Sequence, residues 1–459
     1  MSGSHRSDSG WSTPVVTLAG AVDLTGELMA RDLLGRIERR DAKVAVIGQG
    51  YVGLPLAIRA SAVGYRVVGF EVAGDRVASL RAGRSHVGDV NDNELSEALA
   101  RGYRPTADEN DLDAFDLAII SVPTPLADGL PDMSFIEAAA ATVGRHLSDG
   151  ACVVLESTTY PGTTEELLAP ILERESDLSR EHFLLGYSPE RIDPGNPNYS
   201  FENTPKVVSG DRPESLEVVD AFFSTLVNRT VPVANCAEAE LVKLLENTFR
   251  HVNIALINEL AKFARGLDVD IWRAIDAAAT KPFGFMRFTP GPGVGGHCLP
   301  IDPSYLAWRV REHLGQNFRF VELANDINDH MPDYVQQRIA DLLGQNGKTV
   351  DGAAVLLLGL AYKASTSDWR ESPSVRVAHL LMEAGAEVTI CDPHIEMDRA
   401  GEFAPKLVEL SDRVLSSVDL VVVLVDHPEF VPEFIATHAS LVFDTKNHLA
   451  GVGFSGETL

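Results

Sequence analysis

Cys298 is the residue of this chain best placed to react. It follows the stretch Thr289-Pro-Gly-Pro-Gly-Val-Gly-Gly-His297, and a loop of that composition brings backbone N–H groups close to a ligand and leaves a thiol accessible instead of packed. Cys152 and Cys391 lie in or at the end of apolar runs and read as small buried hydrophobes. An accessible thiolate attacks an electrophilic carbon, and such chemistry needs a group for the oxyanion, a base, and a carboxylate to activate water. Lys243 and Asn247 stand four apart in AEAELVKLLENTFRHVNIALINELAKFARG, a proline-free run that predicts one long helix over Ala237–Arg265. Ammonium and amide therefore share a helix face. A surface lysine with a solvated asparagine is the plainer reading, but Asn is a poor mid-helix residue and Leu241, Leu244, Leu245 and Phe249 around it are apolar. Asp302, four residues past Cys298, either orients Lys243 or a water or serves as a loop or cap residue. Glu190, in Tyr-Ser-Pro-Glu-Arg, is a candidate base.

A second constellation lies near the start. KVAVIGQGYVGLPLAIRASAVGYRVVGFE carries Gly48-x-Gly50-x-x-Gly53 after a predicted strand and at the mouth of a predicted helix, with Tyr51 and Val52 in the turn and Glu71 ending the next strand. Gly48 permits the tight turn, Gly50 lets backbone approach a pyrophosphate, and Gly53 lets helix pack on strand. The helix N-terminus then attracts phosphate. Glu71 would accept hydrogen bonds from the ribose hydroxyls and repel a 2′-phosphate, which favours NAD over NADP. A glycine turn that merely packs a βαβ unit is the alternative. Arg76 either folds over the adenosine or is a solvated helix cation. Thr124, in the Ser121-Val-Pro-Thr-Pro125 turn after the third predicted strand, sits where strand order should reverse and ligands lodge. A thiol beside NAD permits one sequence of events: addition to an aldehyde, loss of hydride from the hemithioacetal, and hydrolysis of the thioester to an acid.

The elements that must hold these residues can be read from the pattern. The 459 residues suffice for about three domains. Residues 1–40 read as an extension, polar at first and amphipathic over Leu24–Arg40. Short apolar runs at Lys43–Gly48, Arg66–Phe70, Asp116–Val122, Cys152–Leu155, Phe183–Gly186 and Lys206–Val208 predict parallel strands buried on both faces, within a unit spanning 41–235. A helical segment comes next over 236–347, interrupted by the loop at Pro282–Pro300. A second series, Ala353–Leu358, Glu387–Cys391, Leu420–Val425 and Leu441–Phe443, falls in 348–459. The fold class is therefore α/β: two Rossmann-like parallel-sheet domains joined by a helical middle domain with a long central helix. The balance of 39 Lys and Arg against 66 Asp and Glu gives a net charge of −27, which repels nucleic acid and acidic membrane surfaces. The four cysteines show neither CxxC pairing nor zinc spacing, so no metal is expected. No long apolar run or leader pattern is seen, and a cytoplasmic protein is expected.

Seven motifs in order from about Lys43 to Asn447, GQGYVGLPL, SVPTP, LESTTYPGT, GYSPERIDPGN, LVKLLENTFR, GPGVGGHCLPIDP and LGLAYKASTSDWRESPS, together resemble the UDP-glucose/GDP-mannose dehydrogenase family of nucleotide-sugar 6-dehydrogenases. The resemblance implies two successive oxidations at C6 of the sugar with two NAD per turnover. It makes Cys298 the thioester-bearing nucleophile, Lys243 and Asn247 the oxyanion partners, Asp302 an aid to Lys243 and the water network, Glu190 the hydrolytic base, and Thr158 a positioner of water. It assigns the last domain to UDP, puts Lys363, Gly295, Arg191 and Phe283 on the substrate, and sends Arg370 across the cleft to the cofactor. Read without the family, Lys363 and Arg370 are cations after a strand that are equally well solvated. The middle helix, apolar around much of its girth, suggests a homodimer or higher homo-oligomer. Ile301 and Pro194 replace a lysine and an acid of glucose-type members, which points to UDP-GlcNAc or an epimer, with UDP- or dTDP-glucose the alternative. A two-electron β-hydroxyacid-type dehydrogenase and a non-catalytic nucleotide-sugar-binding protein are the competing classes.

Overall fold

A computed structural model describes residues 24–127, 129–192, 198–296 and 299–459. The first 23 residues, Pro194 and the nucleophile candidate Cys298 lie outside the described residues. In chain order the first strands are β1 (Lys43–Ile47), β2 (Arg66–Phe70), β3 (Arg104–Thr106) and β4 (Leu117–Ile120), then a small hairpin of β5 (Leu126–Ala127) and β6 (Leu130–Pro131). Next come β7 (Cys152–Leu155), β8 (Leu184–Tyr187), β9 (Lys206–Gly210) and β10 (Thr230–Pro232). All but the hairpin form one sheet ordered β10-β9-β8-β7-β4-β1-β2-β3.

Successive residues of these strands point to opposite faces, and both faces are covered. Ala45, Ile47, Ala118, Ile120, Val153 and Leu155 pack in one core, while Val44, Val46, Leu117, Ile119, Cys152 and Val154 pack in the other. The helix Leu24–Arg39 belongs to the second of these, through Ala30, Leu33 and Ile37. Arg36 pairs with Asp116, whose other oxygen accepts from the backbone N–H of Lys43 at 2.6 Å.

Two expectations need correction. The sheet is not wholly parallel: β8 and β9 pair antiparallel. No helix occurs among the described residues between them, and without a crossover the chain doubles back alongside β8. Ser121 comes after the fourth strand, not the third, because Arg104-Pro-Thr is a strand too short and too polar to betray itself. The reversal of strand order nonetheless falls between β1 and β4, beside the Ser121 turn.

The long helix runs Cys236–Gly266, capped by the Asn235 side chain, which accepts from the N–H of Glu238 at 2.8 Å. Its first turn places Cys236 and Ala239 in the core of the first sheet. Beyond it lie helices Ile271–Ala279, Asp302–Leu314, Arg319–Asp329 and Met331–Gln345. A second sheet, all parallel, comprises β11 (Ala354–Leu358), β12 (Glu387–Cys391), β13 (Leu420–Val423), β14 (Val442–Asp444) and β15 (Gly456–Thr458), ordered β12-β11-β13-β14-β15. It is tied to the helical middle by Arg338 on Glu457 at 2.6 Å and by the Trp272 indole N–H on the Leu459 carbonyl at 2.7 Å.

Candidate active site

The turn after β1 requires glycine at two of its three glycine positions, Gly48 and Gly53. Gly48 sits at φ +92°, and a Cβ there would lie 2.7 Å from the Ser121 carbonyl; one on Gly53 would lie 2.0 Å from the Gly48 carbonyl. At Gly50 a Cβ would meet nothing within 4 Å, so this is the face that a ligand can approach. Tyr51 is exposed, and Val52 precedes the helix Gly53–Ala62 without a capping side chain. The Leu54 N–H bonds the Gly50 carbonyl at 3.1 Å and Pro55 has no N–H, so what the turn can offer an anion comes from the backbone of Gly50–Gly53. Glu71 is buried and accepts from the N–H groups of Gln49 at 3.3 Å and Ala73 at 3.1 Å. Arg76 donates to it at 3.0 Å, so this cation sits on the acid. An open glycine edge, the backbone of that turn and a buried acid at the neighbouring strand end suit the pyrophosphate and ribose of NAD.

Four segments bring the chemical groups together. The Lys243 ammonium donates to the Glu190 carbonyl at 2.6 Å. One turn on, the Asn247 amide donates to Asp302, the buried first residue of its helix. Burial pushes the Asp302 carboxyl up to about 6, against the pull of Lys243 and Asn247. Glu190 takes the backbone N–H groups of Arg191 and Ile192 on one oxygen at 2.6 and 2.7 Å and Lys206 on the other at 2.8 Å. Thr158 is half-buried in the turn after β7. Its neighbour Ser157 donates to the Val122 carbonyl at 2.8 Å, which sets that turn against the one carrying Thr124. Thr124 faces the Tyr305 phenol, which donates to the Pro125 carbonyl at 3.1 Å.

The remaining expected residues are dispersed over both halves of the molecule. Gly295 packs on the second sheet's surroundings: a Cβ would meet the Glu371 carbonyl at 2.5 Å and Pro373 at 2.7 Å. Arg191 is engaged by Glu246 at 2.5 Å and by the Pro205 carbonyl at 2.6 Å. Phe283 is 70% exposed, with the Lys281 ammonium 4.9 Å over its ring. Arg370 pairs with Asp368 at 2.7 Å and lies near enough to Tyr51 of the glycine turn for the phenol to act on its charge. Lys363 is half-buried, its ammonium 5.9 Å over the Tyr362 ring.

Sequence reasoning missed the groups that hold these in place. Lys206 opens β9 and, read in sequence, is only a strand-edge cation; in the fold its ammonium is buried between Glu156 and Glu190. The loop that carries Lys363 is clamped by Asp392, which accepts from the N–H groups of Leu360 at 2.8 Å and Ala361 at 3.0 Å. His427 donates to Asp392 from Nε2 and accepts the Ser365 N–H at Nδ1, both at 3.2 Å. His394, His427 and Glu429 bring ligand atoms within 4.8 Å of one another, but with both its nitrogens committed the His427 ring fastens a loop.

Models of three family domains match in chain order: the NAD binding domain over residues 42–227, the central domain over 237–330, and the UDP binding domain over 356–451. The chain belongs to the UDP-glucose/GDP-mannose dehydrogenase family. It is 36% identical to UDP-N-acetyl-D-glucosamine 6-dehydrogenase of Pseudomonas aeruginosa, over 85% of this chain and 92% of that one. It is 34% identical to UDP-N-acetyl-D-mannosamine dehydrogenase of Pyrococcus horikoshii, over 84% of this chain and 90% of the relative. The solved structure of UDP-D-ManNAc dehydrogenase from Pyrococcus horikoshii superposes with a TM-score of 0.83 at 33% identity, covering 91% of this chain and 98% of that one. As a member of this family the protein is an NAD-dependent oxidoreductase acting on nucleotide sugars. Among the described residues no helix is long and apolar enough to cross a membrane.

Proposed function

We propose that this family member oxidises C6 of a UDP-N-acetylhexosamine through the aldehyde to the carboxylate, with Cys298 carrying the acyl group as a thioester. The observation that supports this most is the meeting of Lys243, Asn247, Asp302 and Glu190, from three separate segments, at one end of the first sheet. NAD, when bound, accepts the hydride in each of the two oxidations. The chain supplies the rest. Cys298 adds to the aldehyde; Lys243 and Asn247 stabilise the oxygen that bears charge; Glu190 removes a proton from the water that attacks the thioester, with Thr158 holding that water. Gly48, Gly50, Tyr51, Val52, Gly53, Glu71, Arg76 and Thr124 would hold the cofactor, with Arg370 reaching it from the second sheet. Lys363, Gly295, Arg191 and Phe283 would contact the substrate. Holding the nucleotide far from C6 lets its binding energy position the reacting carbon.

The domain limits we assign are 41–235, 236–347 and 348–459, after the extension at 1–40. The long helix exposes Leu245 at 60%, Phe249 at 46%, Leu256 at 51% and Phe263 at 54%, an apolar stripe that suits a homodimer. We assign the protein to the cytoplasm. The choice of an acetylated hexosamine rests on Ile301 and Pro194 and on the names of the relatives. A panel of UDP-GlcNAc, UDP-ManNAc, UDP-GalNAc, UDP-glucose and dTDP-glucose, read by NADH absorbance, tests it. With the best substrate, Cys298→Ser should abolish acid formation and Glu190→Gln should let a sugar thioester accumulate, visible as added mass on the intact protein. Undiminished acid release by Cys298→Ala would overturn the thioester route.

A further inference from the structure

Three buried side chains on neighbouring strand ends form a unit to which the thioester route assigns no common role. Glu156 lies just past β7, Lys206 opens β9, and Glu190 lies just past β8; all three are buried. The Lys206 ammonium donates to Glu156 on one side and, at 2.8 Å, to Glu190 on the other. The second oxygen of Glu156 is buried and has no hydrogen-bond partner.

We propose that Lys206 and Glu156 are positioning residues for Glu190: two carboxylates share one ammonium, so the buried unit carries one negative charge and takes up a single proton. The proposal rests on Glu190 acting as the hydrolytic base. Its physical ground is that a buried charge without a partner is costly. With one proton added, Lys206 still has one carboxylate to balance it and the unit is neutral. The other charged or titratable groups near it are each engaged, and of these Lys243 adds to the hold on Glu190. Lys243 on the Glu190 carbonyl faces Asp302, Arg191 is paired with Glu246, and the Tyr187 phenol donates to the Ser157 carbonyl.

The two acids are held apart in proton affinity. Burial pushes Glu156 up to about 7, with Lys206 opposing and the charge of Glu190 adding to the push. Burial also acts on Glu190, but Lys206 and then Lys243 outweigh it and hold that carboxyl below its ordinary value. With Glu156 ionised, Glu190 has room for the proton of the attacking water. The water O–H bond breaks, its oxygen adds to the acyl carbon, and the proton goes to Glu190. Collapse then breaks the C–S bond and returns the electron pair to sulfur. Once Glu156 is protonated, the unit has already taken its one proton, and a second on Glu190 would leave Lys206 unbalanced.

The substitutions therefore act in opposite senses. Glu156→Gln mimics the filled unit and should slow acid formation at pH 8 by about tenfold or more, while removing its fall near neutral pH. Lys206→Met leaves two buried carboxylates facing each other and should move that fall upward by about one pH unit or more. Infrared spectroscopy of the substrate-free enzyme reads the same states directly, whether or not any sugar is oxidised. In the unaltered protein a carboxylic-acid band should grow as pH drops through neutrality; Glu156→Gln should remove one carboxyl's share of it, and Lys206→Met should show a band already at pH 9. Lys206→Arg, which keeps the charge, should restore the original profile if Met fails to fold. An unchanged infrared titration in Glu156→Gln, or rate profiles shifting in the same sense in both variants, overturns the proposal while leaving the thioester reading intact. An infrared response as expected with no thioester ever detected overturns the reading of Glu190 as the base, and the positioning role with it.

Discussion

In both sheets the first strand runs into a left-handed glycine, Gly48 at φ +92° after β1 and Gly359 at φ +93° after β11, and the adjacent strand leads to an acid, Glu71 after β2 and Asp392 after β12. Beyond the glycine the two chain paths diverge. After Gly48 the chain turns at once into the helix Gly53–Ala62 and leaves Gly50 open; after Gly359 no α-helix begins until Pro373. Asp392 consumes the amides of Leu360 and Ala361, and His427 adds the amide of Ser365. One sheet thus leaves the edge at Gly50 open, whereas the other commits the amides of Leu360, Ala361 and Ser365 to fixing a loop. A shared strand plan does not imply a shared ligand, because the disposition of a few N–H groups decides which ligand fits.

The sharpest way to break this contrast is a methyl group at each glycine turn. Gly53→Ala forces a 2.0 Å contact with the Gly48 carbonyl and should weaken NAD binding by about 100-fold, near 3 kcal/mol, with UDP affinity unchanged in calorimetric titrations. Gly359→Ala meets Val425 at 2.4 Å at a positive φ and should do the reverse. Loss of both ligands in either variant would deny that the two turns serve separate ligands.

A smaller effect should come from loosening the clamp. Asp392→Asn keeps the shape but loses charge-assisted bonds to two amides, and KM for the nucleotide sugar should rise about tenfold while the NAD Kd stays put. The Asp392 carboxyl is held low by His427 and the loop amides despite burial. Its stabilising effect is therefore present above the unfolded value of about 4 and is lost only as pH falls further. The Asp392 carboxylate should therefore stay ionised across the neutral range.

The smallest expected effect is on pH-dependent stability, and it distinguishes the first sheet's surroundings from the second's. Burial pushes Glu240 up to about 7, although Thr164 and Gly162 donate to it, and Asp302 up to about 6. Between about pH 4, the ordinary carboxyl value, and those raised values the folded state binds more protons than the unfolded chain, so these acids make stability fall as pH rises. Thermal unfolding should show a lower Tm at pH 8 than at pH 5.5, and Glu240→Gln should flatten the slope. A Tm that climbs across this range would show that other groups outweigh both acids.

Much of this architecture was legible because each signal was local. Arg66–Phe70, Cys152–Leu155 and Glu387–Cys391 form the strands their apolar runs predict, and the long helix extends one residue beyond its predicted run at each end. The glycine turn was legible for the same reason, since the spacing of Gly48, Gly50 and Gly53 encodes its own geometry. β3 and β15, at three residues each, carry too little periodicity to register. The antiparallel return of β9 was hidden because strand direction depends on what lies between strands. Lys206 is the clearest limit: its carboxylates stand 50 positions before it and 16 before it in the chain, and no spacing rule joins residues that only sheet order brings together.

The glycine loop at 291–296 is fastened to a part of the molecule distant from it in sequence. The Gly296 N–H bonds to the Glu371 carbonyl at 3.0 Å, Gly293 lies against Pro373, and Gly295 against Glu371 and Tyr362. The segment leading to the sulfur is thus moored to the half of the molecule that grips the nucleotide, although along the chain it belongs to the middle. The residues up to Gly296 move with that half, and on the thioester route proposed above the seating of the substrate's far end is mechanically coupled to the segment that leads to Cys298.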